Sequence, residues 1–132
     1  MDTEDFRLDG GYYVFISPGI YTAKCVRYRG PVPYRGNKKL YLYFELLTEQ
    51  YPDTELFMAL NLRPSGIPPG SKYFKSWVIA NKGNLPSRNA VMSPLIFLGK
   101  TFTVKVRTAV PKSGDEEMGS NSWYSVIDGV PS

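Results

Sequence analysis

Residues 39–47 read KLYLYFELL, and their alternation decides the fold class. One series of alternate positions, from Leu40 to Leu46, is apolar, and the other carries Tyr41, Tyr43 and Glu45. A period of two is typical of a β-strand that turns one face to a hydrophobic core. The sequence therefore predicts a strand over this stretch that directs its two tyrosines outward.

Strands are predicted on both sides of it. Upstream, Ile20–Arg29 is rich in β-branched and aromatic residues, and its imperfect alternation indicates a β-bulge. The segment Gly30–Asn37 contains two prolines and two glycines and is expected to be a loop. Downstream, Glu55–Leu62 alternates again and directs Phe57 and Asn61 outward.

The second half of the chain predicts one helix and two more strands. Ser71 can cap a helix over Lys72–Asn81, and Gly83 follows its end. The strands are Lys100–Val110 and Trp123–Val130. The order β-β-β-α-β-β predicts a mainly β fold, the OB-fold, a five-stranded Greek-key barrel with one helix between strands three and four. A small open sheet carrying one helix would show the same order.

Length and composition indicate one folded domain. The 132 residues are 42% hydrophobic and 21% charged, which is ordinary for a globular protein. Residues 1–11 are expected to form a flexible acidic arm, and residues 12–132 the OB-like domain. No apolar run approaches the roughly 18 residues that span a bilayer, and no signal peptide is evident, so a cytoplasmic protein without a membrane partner is expected.

The residue types argue against an enzyme. There is no histidine, the commonest general base and metal ligand, and the single cysteine allows neither an internal disulfide nor a multi-cysteine metal site. Cys25 lies in an apolar series and is predicted to be a buried thiol. No phosphate-binding glycine motif occurs. We expect no catalytic residue, no metal and no cofactor.

Charge is segregated along the chain. The net charge is only +4, yet residues 10–44 contain six basic residues and no acid. Acids cluster instead in residues 2–9 and 115–117. Such segregation predicts one positively charged face and an anionic partner.

Aromatic and basic side chains are predicted to share that face. Outward residues two apart on a strand lie roughly 7 Å apart, close to the spacing of splayed bases. Aromatic rings there can stack on any base for about 1–3 kcal/mol each, and cations beside them neutralise phosphates. The residues predicted to contact nucleic acid are Arg27, Arg29, Tyr34, Arg35, Lys38, Lys39, Tyr41, Tyr43, Phe57, Asn61, Arg63, Lys105 and Arg107.

Several alternatives stay open at this point. Strand propensity alone can place tyrosines outward, and lysines in a hairpin can serve solubility alone. Single-stranded RNA offers the same stacking and charge as DNA. The same barrel could also bind a protein through its tyrosines and the proline-rich Arg63–Gly70. Duplex DNA fits less well, because no helix-turn-helix, zinc finger or basic recognition helix is evident.

Several stretches together resemble a known family. They are SPGIYTAKCV (17–26), KKLYLYFELL (38–47), KYFKSWVIANKGNLP (72–86), IFLGKTFTVKV (96–106) and WYSVIDG (123–129). In this order they resemble the small OB-fold single-stranded DNA-binding proteins of phages, plasmids and conjugative elements. The resemblance implies cooperative, largely sequence-independent coating of single-stranded DNA during replication or recombination. It also implies self-association and replication or recombination proteins as partners.

Overall fold

Five antiparallel strands and one helix make up the computed structural model, which describes residues 15–109 and 124–131. The strands are β1 (Gly19–Tyr34), β2 (Asn37–Leu46), β3 (Glu55–Leu62), β4 (Thr101–Ala109) and β5 (Tyr124–Gly129). Helix α1 (Lys72–Ala80) lies between β3 and β4. Hydrogen bonds join the strands in the order β3-β2-β1-β4-β5, and β5 also approaches β3, so the sheet nearly closes into a barrel. The predicted OB-like fold is confirmed. The predicted acidic arm, residues 1–11, lies outside the described residues.

A β-bulge in β1 sets the direction of its side chains. The register between β1 and β2 pairs Cys25 with Phe44 and then Arg27 with Tyr43, so Val26 is the extra residue. The bulge that the imperfect alternation predicted is therefore confirmed. It keeps Cys25 in the core and directs Arg27 outward across the sheet.

The predicted loop over Gly30–Asn37 is wrong, because these residues form the end of a long β-hairpin. β1 continues to Tyr34 and β2 begins at Asn37, with only Arg35 and Gly36 between them. Both turn residues have positive φ, 48° and 82°. Two left-handed residues in succession form the turn type whose twist matches that of a hairpin, so the strands stay paired to its end.

A second register shift, between Arg29 and Val32, accommodates the Gly30-Pro31 pair inside β1. Proline lacks a backbone donor and is tolerated in strands at such bulges. Gly30 is required there, since its φ is +103° and a Cβ would lie 2.7 Å from the carbonyl oxygen of Lys39.

The barrel core is built from the inward series of the strands, closed at one end by α1. In β2 that series runs from Leu40 to Leu46 as predicted, and all its members are buried. The helix begins after Ser71, whose hydroxyl accepts a hydrogen bond from the Phe74 amide at 3.2 Å. The helix adds the indole ring of Trp77 to the core, and the indole Nε1 donates a hydrogen bond to the Ser93 carbonyl oxygen. The predicted helix is confirmed to within one residue. No helix among the described residues combines the length and apolar character that a membrane crossing requires.

Candidate nucleic-acid interface

Four aromatic side chains meet on the outer face of the barrel. Phe57 of β3 is central: its ring centroid lies 5.8 Å from Tyr41, 6.2 Å from Tyr43 and 6.4 Å from Tyr124. These distances and tilted geometries are those of favourable aromatic pairs. We call Tyr41, Tyr43, Phe57 and Tyr124 the aromatic cluster. It joins β2, β3 and β5 and lies outside the barrel core.

Two arginines of β1 lie over the tyrosines of this cluster. The guanidinium carbon of Arg27 is 3.7 Å from the ring centroid of Tyr43, and that of Arg29 is 4.8 Å from the centroid of Tyr41. Both pairs face each other across the ladder between β1 and β2. Cations this close to a ring face are attracted by its quadrupole.

The arginine contact changes what Tyr43 can do. The side chain points outward as predicted, but it is only 3% exposed, because Arg27 and Phe57 cover it. The prediction of a solvent-exposed Tyr43 is therefore wrong. Tyr41, on the same face, stays partly exposed. Tyr41 is thus accessible to solvent, whereas Tyr43 supports the guanidinium above it.

Arg27 is held in place by Glu55 of β3. Its Nη2 lies 2.7 Å from the carboxylate Oε1, and both side chains are substantially exposed. Burial alone lowers the pKa of Arg27, but the hydrogen bond and charge of Glu55, with a contribution from Tyr43, outweigh it and raise the pKa. The guanidinium is thus a fixed cation stacked on a ring, and such a plane can itself stack on a base.

The end of the hairpin is the most basic part of this face. We call Tyr34, Arg35, Lys38 and Lys39 the hairpin tip. Lys39 lies on the same face of β2 as Tyr41, whereas Lys38, which pairs with Leu62, belongs to the opposite series with Leu40 and is exposed at the end of the ribbon. Tyr34 is 41% exposed, with the Lys39 ammonium 4.3 Å and the Arg35 guanidinium 5.3 Å from its ring centroid. The acids of the described residues are elsewhere, at Glu45, Glu49, Asp53, Glu55 and Asp128.

Two further predicted residues border the tip. Asn61 of β3 pairs with Lys39 and is exposed. Arg63 follows directly after Leu62, which pairs with Lys38, and it is exposed as well. Asn61 extends the polar border of the face onto β3, and Arg63 extends it just beyond the end of that strand.

Lys105 and Arg107 of β4 point outward but do not join this face. Lys105 pairs with Ile20, nine residues before Arg29 on β1, which is roughly 30 Å along the strand. Arg107 lies on the far side of β5 from Phe57, and its Nε is 2.9 Å from Oδ1 of Asp128. The predicted outward direction of both side chains is confirmed, but neither lies beside the tyrosines, because alternation fixes the face of a residue but not its place around a barrel. Their contact with nucleic acid stays a prediction.

Tyr124 is the member of the cluster that sequence reasoning missed. It belongs to an outward series with Val126 and Asp128, while Ile127 enters the core. The strand shows no clean alternation, since Ser125, Val126 and Ile127 are all buried, and only barrel closure brings β5 beside β3. The neighbouring Trp123, which opens the predicted fifth strand, lies outside the described residues.

The single cysteine of the chain lies among the core residues. Cys25 is buried as predicted, and burial raises the pKa of its thiol to about 11 against a small opposing effect of the Arg27 backbone. It is therefore a protonated, unreactive thiol at neutral pH. Residues 15–109 and 124–131 contain no group of three or more side chains suited to binding a metal.

Comparisons by sequence do not place the chain in a family. No protein-family model matches it, and no curated protein matches it either. The fold and its outer face define an OB-like barrel with an aromatic and basic surface. The resemblance to phage and plasmid single-stranded DNA-binding proteins stays a prediction.

Proposed function

We propose that the protein binds single-stranded DNA, without catalysis and largely without sequence preference, on the aromatic cluster and the hairpin tip. The main observation behind this proposal is the aromatic cluster, which joins rings from three strands and has two arginines stacked over its tyrosines. Beside it lies the hairpin tip, which contains no acid. A phage or mobile element would use such a protein in DNA replication or recombination. Neither a cofactor nor a metal is part of the proposal.

The proposal gives the rings and the cations separate roles. Tyr41 and Phe57 offer ring surface on which bases stack, each for about 1–3 kcal/mol. Arg27 offers its guanidinium plane to a further base, with Tyr43 beneath it. Stacking accepts every base, which accounts for weak sequence preference.

The phosphates would be neutralised by five cations. None of them has an ion-pair partner among the described residues, so each is available to an anionic ligand. They are Arg29, Arg35, Lys38, Lys39 and Arg63. For a single strand, each phosphate contact contributes about 0.7 to the slope of log affinity against log salt, so five contacts predict a slope of about −3.5.

The test separates stacking from charge. Intrinsic fluorescence is titrated with oligo-dT of about 12 nucleotides and with an abasic oligomer of equal length and charge, from about 50 to 200 mM salt. We expect oligo-dT to bind more tightly by at least about tenfold, the equivalent of one stacked base at 1.4 kcal/mol. Equal affinities would refute the stacking role, and no binding at low salt would refute the whole proposal.

Two matched ligands address the alternatives to single-stranded DNA. Oligo-U of the same length reports whether the 2′-hydroxyl matters, and tighter binding of oligo-U would make RNA the ligand. A duplex of the same sequence presents its charge without accessible base faces. We expect the duplex to bind more weakly than the single strand.

A protein partner is the second candidate, and one observation favours it. The connection between α1 and β4 exposes Leu85 (70%), Val91 (86%) and Leu95 (62%). Exposed apolar residues in one segment are typical of a protein-interaction surface. Co-purification of a partner that resists both nuclease and high salt would favour this function over the first.

A further inference from the structure

A concave surface lies on another part of the barrel, between α1 and the strands β4 and β5. Its volume is about 370 Å³. The residues lining it are Lys72, Lys75, Ser76, Lys105, Gly129, Val130 and Pro131. We call it the lysine cleft. It lies apart from the aromatic cluster, because Lys105 pairs with the opposite end of β1 from Arg29.

Three lysines line this cleft from two elements. Lys72 and Lys75 are three residues apart on α1 and so share one face of the helix, and Lys105 approaches from β4. No acid of the described residues lines the cleft, and Asp128 next to it is already paired with Arg107. Like charges gathered in a concavity raise the local positive potential and attract an anion.

Fold stability does not account for these lysines. The first turn of a helix is its positive end, where acidic side chains stabilise and cations destabilise. α1 has no acid in its first turn and carries Lys72 and Lys75 there instead. None of the three lysines makes an ion pair among the described residues. Such a local conflict with helix electrostatics is characteristic of a functional surface.

β1 connects the lysine cleft with the aromatic cluster. Its outward positions between Ile20, beside Lys105, and Arg27, over Tyr43, include the exposed Lys24. That path is roughly 23 Å along the strand. It corresponds to at most about seven nucleotides at 3.4 Å each, within the range of site sizes of OB-folds.

We propose that the lysine cleft is a second anion site, which takes phosphates of the same DNA strand after it leaves the aromatic cluster along β1. This inference rests on the proposed function and adds to it a direction for the strand and a dependence on its length. Short oligomers occupy the aromatic cluster alone. Longer ones also reach Lys72, Lys75 and Lys105.

A matched pair of variants tests it. Lys72→Gln/Lys75→Gln removes two cleft charges, and Lys82→Gln/Arg88→Gln removes two charges outside the cleft. Each is titrated with oligo-dT of about 6 and about 20 nucleotides across a salt series. For the cleft variant we expect an unchanged slope with the short oligomer and a slope reduced by about 1.4 with the long one. The control variant should match the wild type with both lengths.

The outcomes separate this inference from the proposed function. If the wild type binds both oligomers and the cleft variant keeps the full slope with the long one, the cleft inference is wrong and the proposed function stands. Equal losses in both variants would show only a general charge effect and would also overturn it. If the wild type binds neither oligomer, both proposals fall. The melting temperature of the cleft variant should not decrease, since its lysines oppose the helix dipole.

Discussion

Replacing Tyr43 by alanine should lower the stability of the barrel, whereas replacing Tyr41 by alanine should mainly weaken the proposed DNA binding. The two rings are two residues apart on the same face of β2, but only Tyr43 is covered, by the guanidinium of Arg27 and the ring of Phe57. Tyr43→Ala removes a 3% exposed ring and leaves a void beneath Arg27. Tyr41→Ala removes a ring that solvent already reaches.

The expected magnitudes follow from these surroundings. Truncation of a buried aromatic side chain costs about 3–5 kcal/mol, and a value near the lower end fits a site on the outer face. For Tyr43→Ala we expect the free energy of unfolding to fall by about 3 kcal/mol and the melting temperature by roughly 10 °C. For Tyr41→Ala we expect the free energy of unfolding to fall by only about 1 kcal/mol. The affinity for oligo-dT should fall by roughly 5- to 150-fold.

Urea and thermal unfolding followed by circular dichroism measure the first quantity, and fluorescence titration with oligo-dT measures the second. Tyr43→Phe is the matched control: it keeps the ring under Arg27 and should leave both quantities close to the wild type. If Tyr43→Ala keeps its stability within about 1 kcal/mol and loses affinity as Tyr41→Ala does, the ring is an open stacking surface and the reasoning from its burial fails.

Three other perturbations test neighbouring features. Glu55→Gln removes a negative charge from this face, while the amide oxygen can still accept the hydrogen bond that orients Arg27. It should therefore tighten oligo-dT binding a few-fold with less than about 1 kcal/mol lost in urea unfolding; weaker binding would mean that the charge of Glu55 is needed to hold the guanidinium for the ligand. Gly30→Ala should lower the free energy of unfolding in urea by more than about 2 kcal/mol, because its Cβ meets a backbone carbonyl. Gly36→Ala, at a similar positive φ but in open space, should lower it by only about 1 kcal/mol. Equal losses in the two variants would contradict this reasoning. The Cys25 thiol has its pKa raised from 9.0 to about 11 on folding, so stability should fall as the pH rises through that interval, and Cys25→Ala should remove this part of the pH dependence of urea unfolding.

Most of the fold was predicted from the periodicity of apolar residues along the sequence. β3 has the bounds that alternation predicts. Both ends of α1 and of β4 lie within one residue of their predicted bounds. The hairpin was mispredicted because proline and glycine usually mark loops, and in Gly30–Asn37 a bulge and a two-residue turn absorb them without breaking the ladder. A composition rule cannot detect that, since the accommodation depends on the partner strand.

For the candidate site, the sequence predicts which side chains point outward, but not how exposed they are or which of them meet on the barrel. Alternation correctly gives the outward direction of Tyr41, Tyr43 and Phe57. The burial of Tyr43 depends on Arg27, which comes from another strand and is aimed by a bulge. Tyr124 joins the cluster only because the sheet closes. Such contacts between distant parts of the chain are absent from any local pattern.

The two-residue turn at Arg35 and Gly36 has a thermodynamic consequence for ligand capture. A flexible eight-residue loop would have to be ordered when the ligand arrives, at about 1–2 kcal/mol of backbone entropy for each residue fixed. Here the strands remain paired as far as Tyr34 and Asn37, so folding has already ordered this segment. Lys38 and Lys39 are thus presented on a paired ribbon, and in the proposed binding mode the cost of ordering this segment would offset little of the free energy of counterion release.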